Sequence, residues 1–230
     1  MTTWIKVARY HLVDRFSYVG MPWGILAFDF AVVLAILAAS TPATRAQIPS
    51  GAVFSIYLFF LVLGFLSIFR SLPFGLALGV SRRSYYAGTI LLACSLASVY
   101  GLALAVLQVI ERATDGWGIT VHFFRVAYIF DGPWYLTWLT SFVVLSLMFI
   151  YGTVLGVVFW RWNLIGLLVF VAAQITVVAA GLLVAGAADA WPAIGRFFAT
   201  LSAAGLTGVL IVLALILFGG GLASMRHVTV

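Results

Sequence analysis

The chain alternates between long apolar stretches and short polar interruptions. The apolar stretches are Trp23–Ala39, Ala52–Phe69, Tyr86–Ile110, Tyr135–Phe159, Leu164–Ala188 and Phe198–Leu222. They are continuously apolar rather than alternating, which predicts helices and not barrel strands. About 20 apolar residues suffice to cross a hydrocarbon core roughly 30 Å thick. The pattern therefore predicts an all-α membrane protein, a single transmembrane domain over residues 1–230 with six transmembrane helices. The longest interruption, the outer loop Glu111–Trp134, is too short to build a core of its own.

Charge sets the expected orientation. With the N-terminus inside, the inner segments hold Lys6, Arg9, Arg15, Arg70, Arg82, Arg83, Arg161 and Arg226, against Arg45, Arg112, Arg125 and Arg196 outside. The outer four are accompanied by Glu111, Asp115, Asp131 and Asp189. An excess of basic residues on the cytoplasmic side predicts that both termini are cytoplasmic. Trp23, Trp160 and Trp162 fall at the inner boundary and Trp117, Trp134, Trp138 and Trp191 at the outer one, as interfacial belts do.

Composition agrees with that reading. The chain is 65% hydrophobic and 8% charged, against about 45–50% and 25% in soluble domains. Its net charge of +6 is dispersed in ones and twos at the ends of apolar runs, which argues against a nucleic-acid surface. Charged residues near the start and the lack of a short apolar run before them speak against a cleavable signal peptide. Cys94 is the single cysteine and reads as a small core residue. Thr2–Ser17 mixes Trp4, Ile5, Leu12 and Phe16 with Lys6, Arg9, His11 and Arg15, which suits an interfacial elbow helix along the inner leaflet or a basic tail. In the outer loop, Asp115-Gly116-Trp117-Gly118 signals a turn, and Ile119–Phe130 fits either an amphipathic helix or a short strand pair.

The richest interruption lies between the second and third spans. Ser71 suits an N-cap, Pro73 a first helical turn and Gly79 a helix stop, and Ser81 is placed to cap the next helix. Leu72, Phe74, Leu76, Leu78 and Val80 would make so short a helix apolar nearly all round, and such surface is normally buried. It packs either on the chain's own span ends and lipid or on a cytosolic partner. With Leu78-Gly79-Val80-Ser81-Arg82-Arg83 and Tyr85-Tyr86, the segment resembles the coupling helix of ATP-binding cassette (ABC) exporter permeases of the type-two class. The layout of elbow helix, six spans, inner termini and coupling segment after span two is similar to that family. The resemblance implies that Leu72, Phe74, Leu76, Leu78, Gly79, Ser81, Arg82 and Arg83 engage a separate cytosolic ATPase subunit, which would carry the ATP and Mg. It further implies a second permease chain, the same or related, and a bacterial cell membrane as the location. The chain itself needs no cofactor or metal in that scheme. Its only lysine is Lys6, so it has no P-loop.

Single residues bear on other readings. His11, His122 and His227 all lie outside the spans, which excludes a histidine-based intramembrane enzyme or a bis-histidine haem site. A secondary transporter or a structural or assembly protein without ATP coupling is the alternative, and would be expected to show midplane ionisable residues or repeated halves. Asp29 is the clear intramembrane acid, a candidate for a substrate-path or gating contact or a partnered structural acid. Gln174 is a second polar candidate and suits an interhelical hydrogen bond. Gly152 with Gly156, and Gly181 with Ala185, form small-x-x-x-small pairs for helix packing.

Overall fold

The computed structural model describes residues 16–39, 53–70, 79, 81–120, 123–124, 133–200 and 203–224. Regular structure among them is helical throughout. A π-type turn, Phe16–Gly20, leads into α1 (Met21–Ala39), followed by α2 (Phe54–Phe69) and α3 (Arg82–Ala113). A second π-type turn, Gly116–Thr120, precedes α4 (Trp134–Ala187), α5 (Trp191–Thr200) and α6 (Ala203–Ser224). Three stretches are long and apolar enough to cross a bilayer: Phe16–Ala39, Ser84–Ala113 and Trp134–Ala187. Phe54–Phe69 and Gly205–Ile216 are shorter apolar helices.

As one rod, the 54 residues of α4 would run about 80 Å, far beyond any hydrocarbon core. The rod is broken at Asn163, whose φ of 56° and ψ of −162° leave the helical region. Across the break the Tyr151 hydroxyl donates to Oε1 of Gln174. These residues stand twelve before and eleven after Asn163, so the helix folds back on itself at that residue. Residues 134–162 form a first arm and residues 164–187 a second, antiparallel arm.

Side-chain pairings fix the remaining directions. Tyr57 bonds Ser141, Gly64 faces Phe149 and Ile68 lies against Gly156, so α2 and the first arm run parallel. Tyr85 donates to the Ser67 carbonyl and Phe60 meets Tyr100 edge-on, so α3 runs against α2. Thr140 bonds Thr207 at 2.8 Å, while Leu210 and Leu213 share a wall with Val144 and Leu147, so α6 follows the first arm. On α1, Trp23 stacks on Tyr100 and Phe30 meets Trp117, a direction parallel to α3. Directions thus alternate along the chain. One end of the bundle gathers Arg70, the start of α3 and the Asn163 turn; the other gathers Glu111, Asp115, Trp134 and Asp189.

The first arm is the hub, packed against α2, α3 and α6. Gly64 and Gly152 allow its backbone to touch that of α2, because a Cβ at either would fall on a carbonyl group of the facing helix, at Phe149 or Leu61. Tyr100 joins the N-terminal turn to the core. Its hydroxyl donates to the carbonyls of Tyr18 (3.0 Å) and Val19 (3.2 Å).

Several boundaries differ from the sequence expectation. α3 begins four residues before Tyr86, because Ser81 is an extended N-cap whose side chain accepts from the Ser84 amide at 3.2 Å. Residues 198–200, expected in the last span, belong to the separate helix α5, and α6 starts at Ala203. Trp117, expected at the outer boundary, has a specific partner there. It is half-buried, with its indole N–H bonded to Glu111. Phe123 and Phe124 form a bend, neither helix nor strand, with both amides accepted by a carboxylate instead of a ladder. The expected elbow helix lies outside the described residues except Phe16 and Ser17, which belong to the first π-type turn.

Candidate functional site

The fold-back at Asn163 does not close its two arms fully. Between them, and flanked by α6, lies a cleft of about 770 Å³. The first arm supplies Val144, Leu147, Met148 and Tyr151; the second arm supplies Phe170, Ala173, Gln174, Val177 and Val178; α6 supplies Leu210 and Leu213. Spacings of three and four residues put each set on one helix face. The walls carry no charge among the described residues. Their polarity is concentrated in the Tyr151–Gln174 pair, where the phenol donates to the amide oxygen. The amide N–H groups of Gln174 remain as donors and the phenol oxygen as an acceptor. An apolar cavity of this size with one convergent polar group is the usual form of a small-molecule site.

Glu111 makes a second, structurally distinct constellation at the far end of α3. Only 1% of its surface is exposed. Its Oε2 accepts from Trp117 Nε1 at 3.1 Å and from the amides of Phe123 and Phe124 at 2.9 Å each. Phe30 of α1 packs edge-on against Trp117 and Phe123, with centroids 5.2 and 5.1 Å away. The carboxylate therefore ties the loop after α3 down onto α1. Asp29 is next to Phe30 in sequence, half-buried, and its Oδ2 is buried with no hydrogen-bond partner among the described residues. Asp29 and Gln174 are not brought together, since no residue of α1 lines the cleft.

Of the segment similar to a coupling helix, Leu72, Phe74, Leu76 and Leu78 lie outside the described residues. Gly79 is exposed with φ of +76°, a left-handed conformation that glycine adopts at little cost. Ser81 is the exposed N-cap, and Arg82 and Arg83 open α3. Gly152 and Gly156 sit in the α2 contact, whereas a Cβ at Gly181 would meet nothing within 4 Å. Gly181 thus faces open space among the described residues, and Ala185 is half-buried. No group of His, Cys, Asp and Glu able to hold a metal occurs among the described residues.

Glu111, Tyr100 and Tyr151 were not singled out from sequence. For Glu111 a signal existed: an acid at the very end of an apolar run, six residues before a tryptophan. Comparison with known protein families, curated proteins and solved structures finds no match to this chain.

Proposed function

We propose that this chain is the membrane-spanning permease subunit of an ATP-driven ABC exporter. In this reading it crosses the bilayer six times, with both termini in the cytoplasm of a bacterial cell. The observation that carries the reading is the common end of the bundle at which Arg70, the Ser81-capped start of α3 and the Asn163 turn beside Arg161 meet. Basic residues gathered at one end mark the cytoplasmic face. The apolar segment 71–80 joins α2 to α3 there, where a soluble ATPase can reach it. The cleft between the arms of α4 supplies a passage for substrate, and α3, with 32 residues, extends beyond the length a hydrocarbon core requires. ATP and Mg belong to the partner subunit, and two permease chains complete the assembly.

The test compares Phe74→Asp with Arg82→Ala in pull-down of the ATPase and in ATP turnover. Burial of Phe74 in a groove contributes about 1.5–3 kcal/mol, and a charge there adds a desolvation cost. A solvent-facing arginine contributes about 0–1 kcal/mol. Phe74→Asp should abolish association, and Arg82→Ala should weaken it mildly. Normal ATPase binding by Phe74→Asp would show that the segment does not couple.

A further inference from the structure

We propose that the cleft between the arms of α4 binds an uncharged amphiphile taken from the bilayer, a hydrocarbon chain bearing one neutral hydrogen-bond acceptor such as an amide or ester carbonyl. The proposal rests on the reading of the chain as a membrane permease and names the chemistry of what it carries.

Depth is the first argument. Gln174 stands eleven residues from the Asn163 turn, about 17 Å along the helix, close to halfway through a core of about 30 Å. A ligand that reaches this level meets hydrocarbon on the way. The second argument is the wall. Among the described residues, the lining apart from Tyr151 and Gln174 is aliphatic or aromatic, with no Asp, Glu, Lys, Arg or His to pair with a charge. A permanently charged group at this depth would be desolvated without compensation. The third argument is the polar pair. Tyr151 occupies the oxygen of Gln174 and so turns the amide N–H groups into the site's free donors. A ligand carbonyl satisfies them, and a plain alkane does not. At about 770 Å³, the space falls within the roughly 300–1,000 Å³ of small-molecule pockets. Entry is from the side, since the cleft is open there: Val177 and Val178 on its wall are 72% and 61% exposed.

The experiment uses the full chain in lipid nanodiscs and three photoactivatable probes sharing one hexadecyl chain with a mid-chain diazirine. One ends in a neutral N-methylamide, one in a methyl group and one in a quaternary ammonium. Labelled residues are mapped by mass spectrometry. The amide probe should label Met148, Phe170 and Val177. The ammonium probe should label them at least about tenfold less, as its charge cannot reach that depth. Gln174→Leu should lower amide labelling about fivefold, to the level of the alkane probe, which is the worth of one hydrogen bond. Ala173→Trp should fill the cleft and remove labelling of Met148 by both neutral probes. The proposal is overturned if the ammonium probe labels the wild-type cleft as strongly as the amide, or if labelling spreads evenly over exposed residues such as Ile165 and Leu183. Since the wild-type comparison decides, failure of a variant to insert leaves the result standing. ATPase pull-down through Phe74 probes a different surface, so loss of either result does not entail loss of the other.

Discussion

Trp117 donates its indole N–H to Oε2 of Glu111 at 3.1 Å, and that oxygen also accepts the amides of Phe123 and Phe124. One buried carboxylate thus takes the place of secondary structure in holding the loop after α3. Its removal leaves three donors to be satisfied, and a buried unsatisfied group costs about 1–3 kcal/mol. Glu111→Ala is therefore expected to destabilise the chain by about 3–5 kcal/mol. Glu111→Gln keeps an acceptor oxygen and gives up the charge, for a loss of about 1–2 kcal/mol. Thermal unfolding in detergent, read by tryptophan emission, checks the order. Wild-type melting of Glu111→Ala would mean that the loop is held by its aromatic contacts alone.

The glycines of the α2 contact differ from Gly181 in what surrounds them. A Cβ at Gly152 or Gly64 falls on backbone of the facing helix, which cannot move aside as a side chain can. Gly152→Ala should force α2 and the first arm apart and cost about 1–3 kcal/mol. Gly181→Ala should instead gain about 0.5–1 kcal/mol, since space is open and glycine is entropically costly in a helix. Equal effects of the two substitutions on unfolding by denaturing detergent would contradict the close approach.

Element positions were legible because apolar runs of this length admit few other structures. Trp23–Ala39 anticipates Met21–Ala39, and the Trp160–Asn163 interruption marks the fold-back of α4. Gln174 was legible as an amide isolated in an apolar run, but its partner was not. Tyrosine fits a core, an interface or a site equally well, so Tyr151 carries no signal until the fold-back brings it opposite Gln174. Trp117 suits an interfacial belt by position, and its bond to Glu111 was not legible because it depends on how the loop after α3 folds back. The cleft depends on how two arms diverge, a property of packing that periodicity does not encode.

The turn of α4 can be tested at one residue. Asn163 has φ of 56° with ψ of −162°, at the edge of a region that is essentially reserved for glycine. Asn163→Gly should relieve this strain and stabilise the chain by about 1 kcal/mol, whereas Asn163→Val should destabilise it by about 1–3 kcal/mol. If valine were tolerated as well as glycine in unfolding measurements, the arms would have to be joined by another conformation.

Topology is the last and most general test, and it is made on a Cys94→Ala background so that the one native thiol is absent. Single cysteines at Ala43, Asp115 and Ala190 should react with a membrane-impermeant maleimide in intact cells, and those at Ser84 and Thr229 only after permeabilisation. Asp115 follows the C-terminal end of α3, and Ala190 follows the second arm of α4, so the alternating directions place both at the end opposite Arg70. Ser84 sits one turn into α3 beside its Ser81 cap, at the Arg70 end. The bias of eight basic residues against four is the ground for proposing that this end is cytoplasmic, because translocating a short basic segment is disfavoured. Since Ser84 lies four residues beyond the 71–80 segment, labelling of this position from outside would remove that segment from any cytosolic ATPase. The orientation and the ATP coupling would fall together, while the cleft and its Tyr151–Gln174 pair would still stand on their own measurement.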